Sequence, residues 1–199
     1  SNSIYTHDVS GTDSTAVSNT AFGITAMDAI TTGDDNTAVG HNAMTTQTTG
    51  ARNTAVGHDA LYSNTTSDDN TALGMAAMYS NTTGASNTAV GMYALHLNTT
   101  GADNIAVGYK ALNVNTTGSR NIAIGRLAYD GSDTENDNIA IGFEAMTADT
   151  AGGTKNIALG NKTLTALTSG DRNVAIGDTS LEANTGGGNN TAIGDSTMY

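Results

Sequence analysis

The sequence predicts an all-β fold, a parallel β-solenoid (β-roll) of about eleven coils, and three observations carry that prediction. The first is a period. An Asn opens a unit at 19, 36, 53, 70, 87, 104, 121, 138, 156, 173 and 190, always 17 residues apart except for one step of 18. The second is constancy within the unit, N-[TIV]-A-[VIL]-G-x-x-[AST]-[LM]-x-x-N-T-T-G-x-x, where position 3 is Ala and position 5 is Gly in every copy. The third is the shortness of the unit. Seventeen residues are too few for a helical hairpin or a propeller blade but enough for one coil of short strands and tight turns. Ala and Met favour helix in isolation, yet "TAVG" and "NTTG" interrupt any helix every few residues.

Each part of the unit has a physical role in this reading. Positions 2 to 4 form a strand, with β-branched residues flanking the Ala. Gly at positions 5 and 15 supplies corners that need positive φ, and Asn at position 1 tolerates the same region while its side chain stacks from coil to coil. Position 9 fills the coil core, with Met44, Leu61, Met78, Leu95, Leu112, Met146, Leu164 and Leu181. Gly152-Gly153 absorbs the single extra residue of the 18-residue step. Residues 1–18 fit the unit poorly and are expected to form an N-terminal cap or linker, leaving 19–199 as the solenoid domain. The last unit stops at Tyr199 without a polar terminator, so the chain is expected either to continue in a longer fibre or to stack on another molecule.

Coils stacked about 4.8 Å apart would make a rod roughly 50 Å long, with every unit position a column along it. Position 17 tests this. It runs Asp35, Arg52, Asp69, Ser86, Asp103, Arg120, Asp137, Lys155, Arg172 and Asn189, so four of the seven basic residues share one column, mostly beside acids. Stacking places opposite charges side by side.

Strand alternation puts positions 2 and 4 on one face and Ala on the other. Both faces are constrained, which calls for a second surface beyond the coil's own interior. The favoured assignment places Ala inside the coil and gives the other two columns to a subunit interface. Position 4 contributes Val39, Val56, Leu73, Val90, Val107, Ile124, Ile141, Leu159 and Ile176, and position 2 contributes Ile105, Ile122, Ile139, Ile157 and Val174. The alternative is a lone solenoid with Val and Ile inside.

Composition narrows the function. Sparse charge (13%), a net charge of −12 and few large apolar residues would suit a disordered chain, but the charge register argues for order. Seven basic residues exclude wrapping of nucleic acid. No apolar run is long enough for a membrane span, and no signal peptide is visible. The absence of Cys leaves the redox compartment open.

The motifs "NTAVG", "NIAIG" and "NVAIG" resemble the core strand of trimeric autotransporter adhesin heads, left-handed parallel β-rolls in which three chains pack together. The longer unit NTAVGxxALxxNTTG is similar to repeats of phage tail fibre proteins and predicted bacterial surface proteins. The resemblance spans residues 19–199 and implies a homotrimer. Adhesin head coils are shorter, so the extra residues here, "NTT" among them, should bulge or add a strand.

Candidate sites are few. His41 and His58 share position 6 and should stack about 5 Å apart, within reach of one metal. No carboxylate column accompanies them, and Met75 and Met92 follow, so a solvated corner without metal is expected. Asp34-Asp35 and Asp68-Asp69 lack the G-G-x-G-x-D pattern of calcium-binding rolls. Asn64, Asn81, Asn98 and Asn115 match glycosylation sequons, but their shared position 12 reads as a structural ladder. The adjacent Thr columns at 13 and 14 point to opposite faces, leaving one outward column and a poor ice-binding face. No nucleophile elbow, P-loop or HExxH motif occurs, so no catalytic residue and no cofactor are expected.

The expected function is therefore non-enzymatic: a rigid shaft or head of a fibre on a virion (tail fibre) or cell surface, extracellular, contacting a host-surface receptor or glycan. The alternatives are a self-assembling filament subunit stacking end to end and, behind it, an ice-binding protein.

Overall fold

The computed structural model describes residues 15–131, 133–148 and 153–198. Eleven three-residue strands follow in chain order: β1 Thr20–Phe22, β2 Thr37–Val39, β3 Thr54–Val56, β4 Thr71–Leu73, β5 Thr88–Val90, β6 Ile105–Val107, β7 Ile122–Ile124, β8 Ile139–Ile141, β9 Ile157–Leu159, β10 Val174–Ile176 and β11 Thr191–Ile193. They form one parallel sheet in sequence order, each strand paired with the next without slippage, as in Thr54↔Thr71, Ala55↔Ala72 and Val56↔Leu73. Each unit is thus one coil of a β-solenoid, with no helix among the described residues. The register survives the 18-residue step, since Ile139 still pairs with Ile157. Gly152 of the Gly152-Gly153 step is outside the described residues, as are residues 1–14 of the N-terminal segment and Tyr199. Residues 15–18 already run along the first coil, where Thr31 O accepts from Thr15 N and Val17 O from Asp35 N, both at 3.1 Å.

Only a fifth of each coil is strand, yet the remainder is also bonded from coil to coil. Asn42 N donates to Ile24 O (3.0 Å), Met44 N to Ala60 O (3.0 Å), Thr48 N to Thr65 O (2.9 Å) and Arg52 N to Asp34 O (2.9 Å). The backbone demand for partners is met by stacking rather than by longer strands. "NTT" adds no strand.

The corners differ from the sequence expectation. Besides the Gly at position 5, the left-handed region holds positions 7, 9 and 17, as in Asn42 (φ 56), Met44 (φ 51) and Arg52 (φ 57). Asn at position 1 is not there, and neither is Gly at position 15. Gly91 (φ 129) needs its missing Cβ twice over, because that atom would also lie 2.6 Å from Gly108 O. Gly84, at position 15, is required only for approach: a Cβ there would stand 2.2 Å from Gly101 O and 2.6 Å from Asn81 Oδ1. Left-handed backbone costs a non-Gly residue about 1 kcal/mol or more. At position 9 that cost is offset by complete burial of the side chain and by the bond its N–H makes to the neighbouring coil.

The core is narrow. Ala fills positions 3 and, through the first eight coils, 8, while Met44, Leu61, Met78, Leu95, Leu112, Met146, Leu164 and Leu181 point inward at position 9, all fully or almost fully buried. One coil departs: Tyr129 replaces the aliphatic residue, and its hydroxyl accepts from Asn138 Nδ2 at 2.6 Å.

Candidate functional site

Two Asn ladders hold the cross-section on which every surface column depends. At position 1, Asn87 Nδ2 donates to Gly101 O of its own coil (2.9 Å), and its Oδ1 accepts Asn104 N of the next (2.9 Å). At position 12, Asn98 Nδ2 donates to the same Gly101 O (2.9 Å). The sequon residues Asn64, Asn81, Asn98 and Asn115 are fully buried in this second ladder. In the neighbouring Thr column Thr48 Oγ1 donates to Thr65 O at 3.0 Å, leaving the half-buried position 13 bonded to the next coil and position 14 the more exposed of the two.

The outer face of the sheet runs along all eleven strands. In every strand the Ala is buried, and the residues on either side of it are half-buried or exposed. Exposed apolar members include Phe22, Leu73, Ile105, Ile124 and Ile141; Val39, Val56, Val90, Val107, Ile122, Ile139, Ile157, Leu159, Val174 and Ile176 are half-buried. Val and Ile therefore do not fill the coil, so the alternative that placed them inside does not hold. The reason is volume: coils closed through short Asn–carbonyl bridges leave room for a methyl group opposite position 9.

The position-17 column pairs as its register requires. Arg52 meets Asp69 (Nε–Oδ1 2.6 Å) and Arg120 meets Asp137 (Nε–Oδ1 2.6 Å), each one coil away. Hydrogen bonds from these guanidinium groups hold both carboxyls below the usual aspartate range, and the Arg side chains are raised in turn. The acidic residues at position 16 bind backbone: Asp34 Oδ1 accepts Val17 N (2.8 Å), and Asp68 Oδ1 accepts Ala51 N (2.7 Å) while its Oδ2 also accepts Arg52 Nη2 (3.4 Å). Asp171 accepts Thr154 N (2.8 Å) and Oγ1 (3.1 Å), which lowers its carboxyl as well.

A third surface runs along the corner made by positions 6, 7 and 10. His41 and His58 stack with centroids 4.9 Å apart, and Tyr62 and Tyr79 stack at 5.0 Å. Tyr79 continues to His96 (5.3 Å), against which Tyr93 sets its edge at 5.1 Å. Farther along, Arg126 lies between the rings of Tyr109 (5.8 Å) and Phe143 (5.5 Å). Tyr93, His96, Tyr109, Lys110 and Asn113 line an open depression of about 340 Å³. No carboxylate column runs beside the His pair, but a single carboxylate does stand there. Asp59, one position along in the His58 coil, places Oδ2 2.8 Å from His58 Nδ1. A search down a single column misses it, because the contact runs within a coil. The Tyr62–Tyr79–His96 stack was legible as three rings in successive coils at position 10, a position otherwise too variable to draw notice.

Among the described residues no helix is long and apolar enough to cross a membrane. Compared with known proteins, the chain matches no family model, no curated protein and no solved structure.

Proposed function

We propose that the chain is a non-enzymatic segment of an extracellular fibre, a β-solenoid shaft or head that assembles as a homotrimer and presents repeated surface columns for attachment. The observation that carries this reading is the outer sheet face, where an apolar column at position 4 remains outward along the whole sheet. Soluble monomers seldom expose a contiguous apolar patch beyond a few hundred Å². A second and third copy of the same flat face would cover it. In-register bonding in every part of the coil supports a stiff spacer. The ring and cation column of positions 6, 7 and 10 offers the means of attachment to a receptor or glycan, with many weak contacts adding along the rod.

Light scattering on the purified segment tests the assembly. The expected mass is three times that of the 20.1 kDa chain. A monomer at micromolar concentration overturns the reading, and long polymers in electron micrographs would replace it with end-to-end filament growth.

A further inference from the structure

We infer that His41, His58 and Asp59 form a binding site for one divalent transition-metal ion of the zinc and copper class. One ligating atom from each of the three lies within 4.8 Å of the other two. The His58–Asp59 pair is within a few tenths of an ångström of ligating separation. Two atoms bonded to one zinc ion at about 2.1 Å each sit about 3.0–3.4 Å apart, and His58 Nδ1 and Asp59 Oδ2 are 2.8 Å apart. An ion would sit between these two atoms, and His41 would close on it by rotation of an exposed side chain.

The frame around the three residues is stiff. Asn42 Nδ2 holds the other carboxylate oxygen, Asp59 Oδ1, at 2.9 Å, which turns Oδ2 toward the imidazole. Thr25 Oγ1 in turn donates to Asn42 Oδ1. Asp59 N donates to His41 O at 2.9 Å, fixing the spacing between the two His coils. Outer hydrogen bonds of this kind orient ligands and tune affinity. Two imidazole nitrogens select zinc, copper or nickel over calcium and magnesium, which take oxygen ligands. Three protein ligands at an exposed corner leave the remaining coordination positions to water or to a group from another molecule.

Equilibrium dialysis and calorimetry with Zn²⁺ alone provide the test. The expected result is one ion per chain, with His41→Ala and His58→Ala each weakening binding by about tenfold or more and Asp59→Asn by a smaller factor. His96→Ala should leave binding unchanged. The variants should keep the fold, because position 6 also accepts Ile24, Met75 and Asn161 in other coils, and circular dichroism checks this directly. Electron paramagnetic resonance with Cu²⁺ should show two nitrogen ligands in the parent and one in His58→Ala. Absence of Zn²⁺ binding, equal binding by His41→Ala, or Ca²⁺ binding as tight as Zn²⁺ would each overturn the site.

Discussion

Asn98 Nδ2 donates to Asn81 Oδ1 in the preceding coil at 2.7 Å, and both side chains are fully buried. The same amide bonds Gly101 O at 2.9 Å, so one side chain closes its own coil and joins it to its neighbour. Asn98 Oδ1 then accepts Asn115 Nδ2 at 2.7 Å.

Asn98→Ala should therefore cost about 2–4 kcal/mol, because it strips a buried acceptor on one side and a buried donor bond on the other. Asn184 occupies the same position but bonds only Gly187, in an exposed setting. Asn184→Ala should cost less than about 1 kcal/mol, since water replaces what is lost. Denaturant unfolding of the two variants compares them, and equal losses would show that the ladder does not hold the core.

Gly84→Ala should destabilise by about 1–3 kcal/mol, the range for overpacking. Gly84→Ser should cost less. Ser67, at the same position one coil earlier, is buried, and its Oγ accepts Asn70 Nδ2 (2.9 Å) and Asn81 Nδ2 (3.1 Å). A hydroxyl joins the ladder where a methyl group only crowds it. Melting temperatures in the order parent, Ser, Ala are expected, and the reverse order for the two variants would refute this role for the hydroxyl.

Ile122→Asp combined with Ile139→Asp should dissociate the proposed trimer, because both side chains lie on the outer face of the second half, where position 2 changes from Thr to Ile. Thr54→Asp should have a milder effect, as its layer already carries a hydroxyl. Sedimentation velocity reads both. An unchanged mass for the double variant would remove this face from the interface.

Acid should destabilise the fold, and the sign follows from the carboxyls. Asp69, Asp137 and Asp171 are held below their ordinary range by accepted hydrogen bonds. A carboxyl harder to protonate in the folded chain adds stability above its unfolded value, and that stability is lost as pH falls through the folded one. Asp130 runs the other way. Burial raises its carboxyl, so its contribution is present in acid and fades as pH rises through the raised value. With three such carboxyls against one, melting temperature should drop below the normal aspartate range of pH. Asp171→Asn should shrink that drop. An acid profile identical to the parent would show that the Thr154 contact contributes nothing.

The sequence by itself determined the coil, its register and the neighbours within each column. In-register parallel stacking converts a period into adjacency, so Arg52 beside Asp69 and Tyr62 beside Tyr79 follow from counting. It favoured Ala facing inward, because a position held at one methyl group in every unit reads as a packing limit, but it left Val and Ile inside as an alternative that only the burial pattern of the fold closed. Tertiary structure alone decided the path between the strands. Positions 7, 9 and 17 take the left-handed region whether they hold Met, Tyr, Asp or Arg, so no local preference announces them. The bonds to adjacent coils impose that backbone, and a propensity read along one chain cannot register a constraint that comes from the coil above. The same holds for Asp59 at His58 and for Gly84, whose need is close approach to Gly101 rather than its own φ. Each is a contact set by how the turns fold in space, after the period has placed the coils.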